Sequence, residues 1–152
     1  MRPFLIFLHL AGVIVWIGGM FFAHFCLRPV VAEQLPSAQR LHLLAAVLGR
    51  FFVAVGLAIV LILLSGFVSL KIIGFAQAPL HWHVMSGLGL LMVGIFVVIY
   101  FRFYPRLRNG VQAEDWPLAG AAMNRIRQLV ATNLLLGGLT LMVATLGAYF
   151  VK

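Results

Sequence analysis

Acidic residues are almost missing from this 152-residue chain, which has only Glu33, Glu114 and Asp115. None lies in a long apolar run, so acid–base hydrolysis at membrane depth has no carboxylate pair to use. Cysteine is represented by Cys26 alone. One thiol builds neither an intrachain disulfide framework nor a thiolate zinc site. Charged residues of both signs make up 9% of the chain, against about a quarter in soluble domains. That scarcity excludes an ordinary soluble fold.

What fills the space is apolar: 64% of residues are hydrophobic and the mean hydropathy is +1.12. A helix needs roughly 20 apolar residues to cross a ~30 Å hydrocarbon core, and four runs suffice, at about residues 4–25, 51–70, 80–101 and 129–151. The expected fold is an all-α integral membrane protein, a four-transmembrane-helix bundle forming a single domain over residues 1–152. Lipid is then its first partner. The N-terminus has one basic residue before a long apolar run and no convincing cleavage site, so it reads as a retained anchor.

The formal charge of +8 would point to nucleic acid in a soluble protein; here it bears on orientation, and no nucleic-acid partner is expected. Arg28, Arg40, Arg50, Arg102, Arg106, Arg108, Arg125 and Arg127 fall on one side of a four-helix arrangement, and only Arg2, Lys71 and Lys152 on the other. This asymmetry predicts a multi-pass membrane protein with cytoplasmic long connectors and with both termini and the short middle loop external.

The first connector holds Pro36-Ser37, which can start a helix running on into the second span. The third holds Pro105, Asn109-Gly110 and Trp116-Pro117, read as turn signals with a short amphipathic helix before the fourth span. The two halves look alike when overlaid. His9 and His83 open spans one and three, Gly12 and Gly87 follow, Arg28 and Arg102 each lie 19 residues after their histidine, and Glu33 to Pro36 matches Glu114 to Pro117. If the likeness is a duplication, it is two parallel-repeat hairpins, which carry sites at their interface, and His9 and His83 face each other at one depth.

An ionisable residue inside an apolar span marks a functional site by default. His9 shares a helical stripe with Val13, Trp16 and Met20, and with His83 it makes a candidate pair of axial ligands for haem b or part of a metal site. Gly12 and Gly87 are expected to leave room for a flat ring beside each imidazole, although small residues also let membrane helices approach. Copper is the alternative occupant, since thioether beside imidazole suits Cu(I). Met85 and Met92 lie on the opposite side of span three from His83, so they and His83 do not form one shell. His24 and His42 are second-site candidates: His24 lies about 22 Å beyond His9, while His42 is expected outside the core. His81 is expected in the external loop, solvated or as a ligand at the mouth.

The first span, LHLAGVIVWIGGMFF followed by LRPV, resembles the copper-resistance D (CopD) domain family, in which a histidine start, a Trp-x-Gly-Gly centre and an Arg-Pro end recur. The resemblance extends over the whole chain in order and length, and implies a bacterial inner membrane, with the external side and both termini periplasmic, and copper uptake across it with a periplasmic copper-binding partner. The same span, with Trp82-His83-Val84, is similar to HemJ, which implies bound haem b and protoporphyrinogen oxidation. Met85 stands where HemJ has a lysine, and Arg28-Pro29 reverses its Pro-Arg; the likeness carries over to the haem site, while these departures put the oxidase activity in question.

The leading expectation is therefore a CopD-like membrane protein binding haem b between His9 and His83, beside Gly12, Gly87 and Trp16, near the periplasmic face, for electron transfer or redox chemistry. Its partner is then an electron-transfer protein. Copper uptake or handling through the same histidines is the alternative, and an accessory subunit of a larger membrane complex is the third reading. No catalytic residue is assigned; an enzyme built on these residues is a haem-dependent membrane oxidoreductase.

Overall fold

Backbone N–H and C=O groups inside a bilayer find no water, so they must pair within their own helix. In the computed structural model, which describes residues 2–150, the chain does this in four long helices: α1 (Pro3–Gln34), α2 (Ser37–Ile73), α3 (Leu80–Gln112) and α4 (Trp116–Phe150). Each is long and apolar enough to cross a membrane. Val151 and Lys152, the expected end of the fourth span and one of the three minority cations, lie outside the described residues.

The helices exceed the expected spans because the connectors are helical too. Pro36 precedes a continuous α2 that begins at Ser37, as its sequence predicts. Asn109-Gly110, expected to turn, lies inside α3. Gly110 serves close packing there: a Cβ on it would meet the backbone nitrogen of Ala119 at 2.8 Å. The tail of α3 buries Leu107 and Val111, one turn apart, against the rest of the bundle, and this burial overrides the local turn preference. The expected short helix before span four is that tail, while α4 is unbroken. The real turn is Ala113 to Asp115, with Glu114 at φ 55° and the Asp115 carboxylate accepting the Leu118 N–H at 3.0 Å as a helix cap.

At the opposite end α2 stops at Gly74, whose φ of 93° suits glycine. Its N–H bonds the Leu70 carbonyl at 3.0 Å. A 3₁₀ turn, Phe75–Gln77, leads to Pro79 and the start of α3.

Three turns are widened to π-helix: Ile14–Gly18 and Ala23–Leu27 in α1, and Ile99–Phe103 in α3. The last two stand just ahead of Pro29 and Pro105. Proline lacks an N–H and crowds the carbonyl four residues back, so a wider turn relieves both problems. Pro29 and Pro105 are 76 residues apart. The histidines that suggested the repeat are 74 apart, and two residues of helix amount to about 200° of rotation.

The hairpins α1–α2 and α3–α4 make the most extensive pairings. The core is densest towards the arginine-rich end, around Phe52, Ile99, Leu107 and Ile126, and continues at mid-depth as Trp16, Met20, Val55, Ala58, Ile59 and Met92. Outward faces carry exposed apolar residues such as Phe4, Ile14, Phe101 and Leu135. Lipid contact explains this surface.

Candidate functional site

Towards the end where α1 begins and α4 ends, the four helices separate around a cavity of about 490 Å³. Its walls are apolar except for a few groups: His9 from α1, Ser69 from α2, His81 and Ser86 from α3, and Thr140 from α4. Two thioethers, Met85 and Met92, also line it.

His9 is held by α2. Its Nδ1 lies 3.0 Å from the Ser65 Oγ and 3.2 Å from the Ile62 carbonyl oxygen. A carbonyl only accepts, and the Ser65 hydroxyl already donates to the Leu61 carbonyl at 2.6 Å, so Nδ1 is the protonated nitrogen and donates to both. On the neutral ring Nε2 then keeps its lone pair. Metal-ligating imidazoles have this arrangement, in which a bond on one nitrogen fixes tautomer and ring orientation for the other. The ring rests over Gly66, where a Cβ would lie 3.6 Å from the His9 Cε1.

Trp16 is 4% exposed and lines the deep part of the cavity, edge-to-face with Phe96 at 6.5 Å between ring centroids. Gly12 has a different surrounding from the one expected. A Cβ there would meet the Ala58 carbonyl oxygen and the Ile62 side chain, both at 2.8 Å, so Gly12 brings α1 against α2. Gly87 is exposed with open space beside it.

His83 is not part of the cavity wall. Its ring packs against Phe75, with centroids 4.7 Å apart. His81, Met85, Gly89 and Met92 take the inward face of α3, and His83 lies about 200° around the helix from His81. The proline register explains the difference. At the 76-residue separation of Pro29 and Pro105, the counterpart of His9 is Met85, and that of Trp16 is Met92. All four line the cavity.

His81 is helical rather than in a loop. It packs so closely on α4 that a Cβ on Gly147 would lie 2.6 Å from the His81 Cβ. Its Nδ1 is buried with no hydrogen-bond partner. Nothing in its sequence surroundings distinguished it from His83; the distances between the prolines held the signal. Ser65 and Asn133 also went unnoticed. Asn133, 1% exposed, donates from Nδ2 to the Met92 carbonyl at 3.2 Å, and its Oδ1 is buried without a partner.

The second-site pair is not brought together. His24 lines a smaller cavity of about 140 Å³ with Arg28 and Arg127, whereas His42 is exposed and packs edge-on to Trp116 at 5.7 Å. Among the described residues no three of His, Cys, Asp and Glu come close enough to hold a metal ion. A metal in the larger cavity must use thioether sulfur or fewer than three such groups.

The family model for copper resistance protein D (CopD) matches residues 45–146, two-thirds of the chain. The chain belongs to the CopD family. The matched part contains Ser65, His81, Met85 and Met92, while His9 and the Trp-Ile-Gly-Gly stretch lie before it. No curated protein and no solved structure matches the chain.

Proposed function

We propose that this CopD-family protein handles copper at the membrane by holding Cu(I) in the larger cavity, with His9 as principal ligand and Met85 and His81 as further donors. The observation that carries the reading is the His9 imidazole, pinned through Nδ1 by Ser65 and Ile62 with Nε2 free. A neutral imidazole with thioethers nearby is a soft donor set, which favours Cu(I) over harder cations. The apolar wall supports the reading as well, because it excludes water that would compete for the ion.

Orientation follows the arginine count. The arginine-rich end is cytoplasmic and the cavity opens near the periplasmic face, where a copper-binding partner has access. A reporter active only in the periplasm, inserted at Glu114 in the α3–α4 turn, should be silent, and one fused after Lys152 should be active. The reverse pattern removes the orientation.

Haem b is the second reading, favoured by size. About 490 Å³ exceeds what a lone ion needs and falls within the roughly 300–1,000 Å³ of cofactor pockets. His9, with His81 as the second imidazole on the wall, would hold the iron, and the group would supply one-electron chemistry. The donors fit; the lining has no Lys or Arg for the propionates.

The test is purification with copper and haem supply intact, followed by metal analysis and optical spectroscopy. Copper near one per chain without a Soret band, lost in His9→Ala, supports the copper reading. A Soret band lost in the same variant supports haem. Neither metal nor band, in protein that remains folded, removes both and leaves an accessory subunit.

A further inference from the structure

The eight arginines at the arginine-rich end are not alike. Arg50, Arg102, Arg106, Arg108 and Arg125 are exposed, whereas Arg28, Arg40 and Arg127 are half-buried. Two of the three, Arg28 and Arg127, line the smaller cavity between α1, α2 and α4. The charges of Arg127 and Arg40 both act on Arg28, yet none of the three has an ion-pair partner among the described residues. The only acids in the chain are Glu33, Glu114 and Asp115, and none lines this cavity. Drawing like charges together into partial burial without a counter-ion is unfavourable, and an anion on the spot reverses the sign.

The rest of the cavity narrows the identity of that anion. Phe22, Leu27, Leu44 and Val47 make its walls apolar. At about 140 Å³ it is too small for a whole cofactor but suits one end of a longer amphiphile. Phe22, 57% exposed, continues the apolar surface outward to where acyl chains run.

We propose that this cavity binds the phosphate of an anionic phospholipid, with Arg28 and Arg127 as its charged partners and Arg40 beside them. Guanidinium groups pair with phosphate through two parallel hydrogen bonds, and basic pockets between transmembrane helices suit anionic headgroups. The site is separate from the copper cavity and does not depend on it.

The experiment is native mass spectrometry of detergent-purified protein given equal phosphatidylglycerol and phosphatidylcholine of matched chains. The protein should retain the anionic lipid with about tenfold preference. Arg28→Gln with Arg127→Gln should bring the two lipids to parity, and Arg106→Gln with Arg108→Gln, which removes two exposed charges, should keep the preference. Excess inorganic phosphate should not displace the lipid, because the apolar walls contribute to its binding. Preference surviving in the cavity variant overturns the proposal, as does equal loss in the Arg106 and Arg108 variant, which would indicate diffuse charge. Displacement by inorganic phosphate also overturns it, making the ligand a free anion. If the double cavity variant does not fold, Arg127→Gln alone is read: a reduced preference supports the site, and an unchanged one overturns it.

Discussion

The larger and the smaller cavity share apolar walls and helices, but their polar groups are opposite in character. The larger presents imidazole and thioether donors, His9, His81, Met85 and Met92, and no Lys or Arg; the smaller presents Arg28 and Arg127. A soft cation is favoured at one and repelled at the other. Between the two lined stretches on α2 lie Val55 and Ala58, and on α4 lies Asn133, each 3% exposed or less. A bare cation leaving the first cavity would thus meet packed side chains and then a cationic pocket, the kind of barrier that excludes cations from pores. Under the copper reading proposed above, the contrast favours holding the ion at one end over an open cation path.

Replacing His9 tests the contrast most severely. His9→Ala should lower Cu(I) affinity more than about 100-fold, the upper end of losses seen for a merely orienting partner, as measured by competition with a chromogenic Cu(I) chelator. An unchanged affinity would leave the larger cavity without a functional distinction. Ser65→Ala comes next. It removes the hydroxyl that accepts from Nδ1 while the Ile62 carbonyl remains, so affinity should fall about tenfold, the lower end of the range for groups that orient a ligand through its other nitrogen; a loss equal to that of His9→Ala would mean that Ser65 does more than orient the ring.

Gly12→Leu probes stability rather than ligation. The added side chain would push into the Ala58 carbonyl and Ile62, and overpacking of this kind costs about 1–3 kcal/mol, visible as an earlier thermal transition in detergent. Gly87→Leu, at an open position, should leave the transition in place. The smallest effect is expected at His83. His83→Ala should change Cu(I) or haem binding less than about twofold, under 0.5 kcal/mol, because its ring lies on Phe75 and outside the cavity wall. Loss of the occupant in this variant would restore His83 as a ligand.

Legibility of the fold and of the site differed for a physical reason. Four long apolar runs allow almost no structure but four helices, because lipid leaves backbone groups no other partner, and the start of α2 at Ser37 could be read from the proline before it. His9 could be singled out because a histidine in an apolar run is costly unless paired, and Trp16, on the same stripe, lines the larger cavity with it. The inward face of α3 was not legible. That helix is apolar all round, so no polar stripe tells which side is buried, and the choice between His81 and His83 is a matter of helix phase. Phase along α1 and α3 depends on the widened turns before Pro29 and Pro105, which do not follow the 3.6-residue period.

The sequence by itself determined the membrane class, the four helices, the shortage of carboxylates and the concentration of arginines at the end away from the termini, since these depend only on composition and on runs along the chain. Tertiary structure alone decided which arginines are drawn inward, that Gly110 is a crossing point and not a turn, and that Ser65 pins His9 from a neighbouring helix 56 residues away. Each of these depends on which helix packs on which, and at what rotation. That information comes from contacts between distant segments, which no local pattern of residues records.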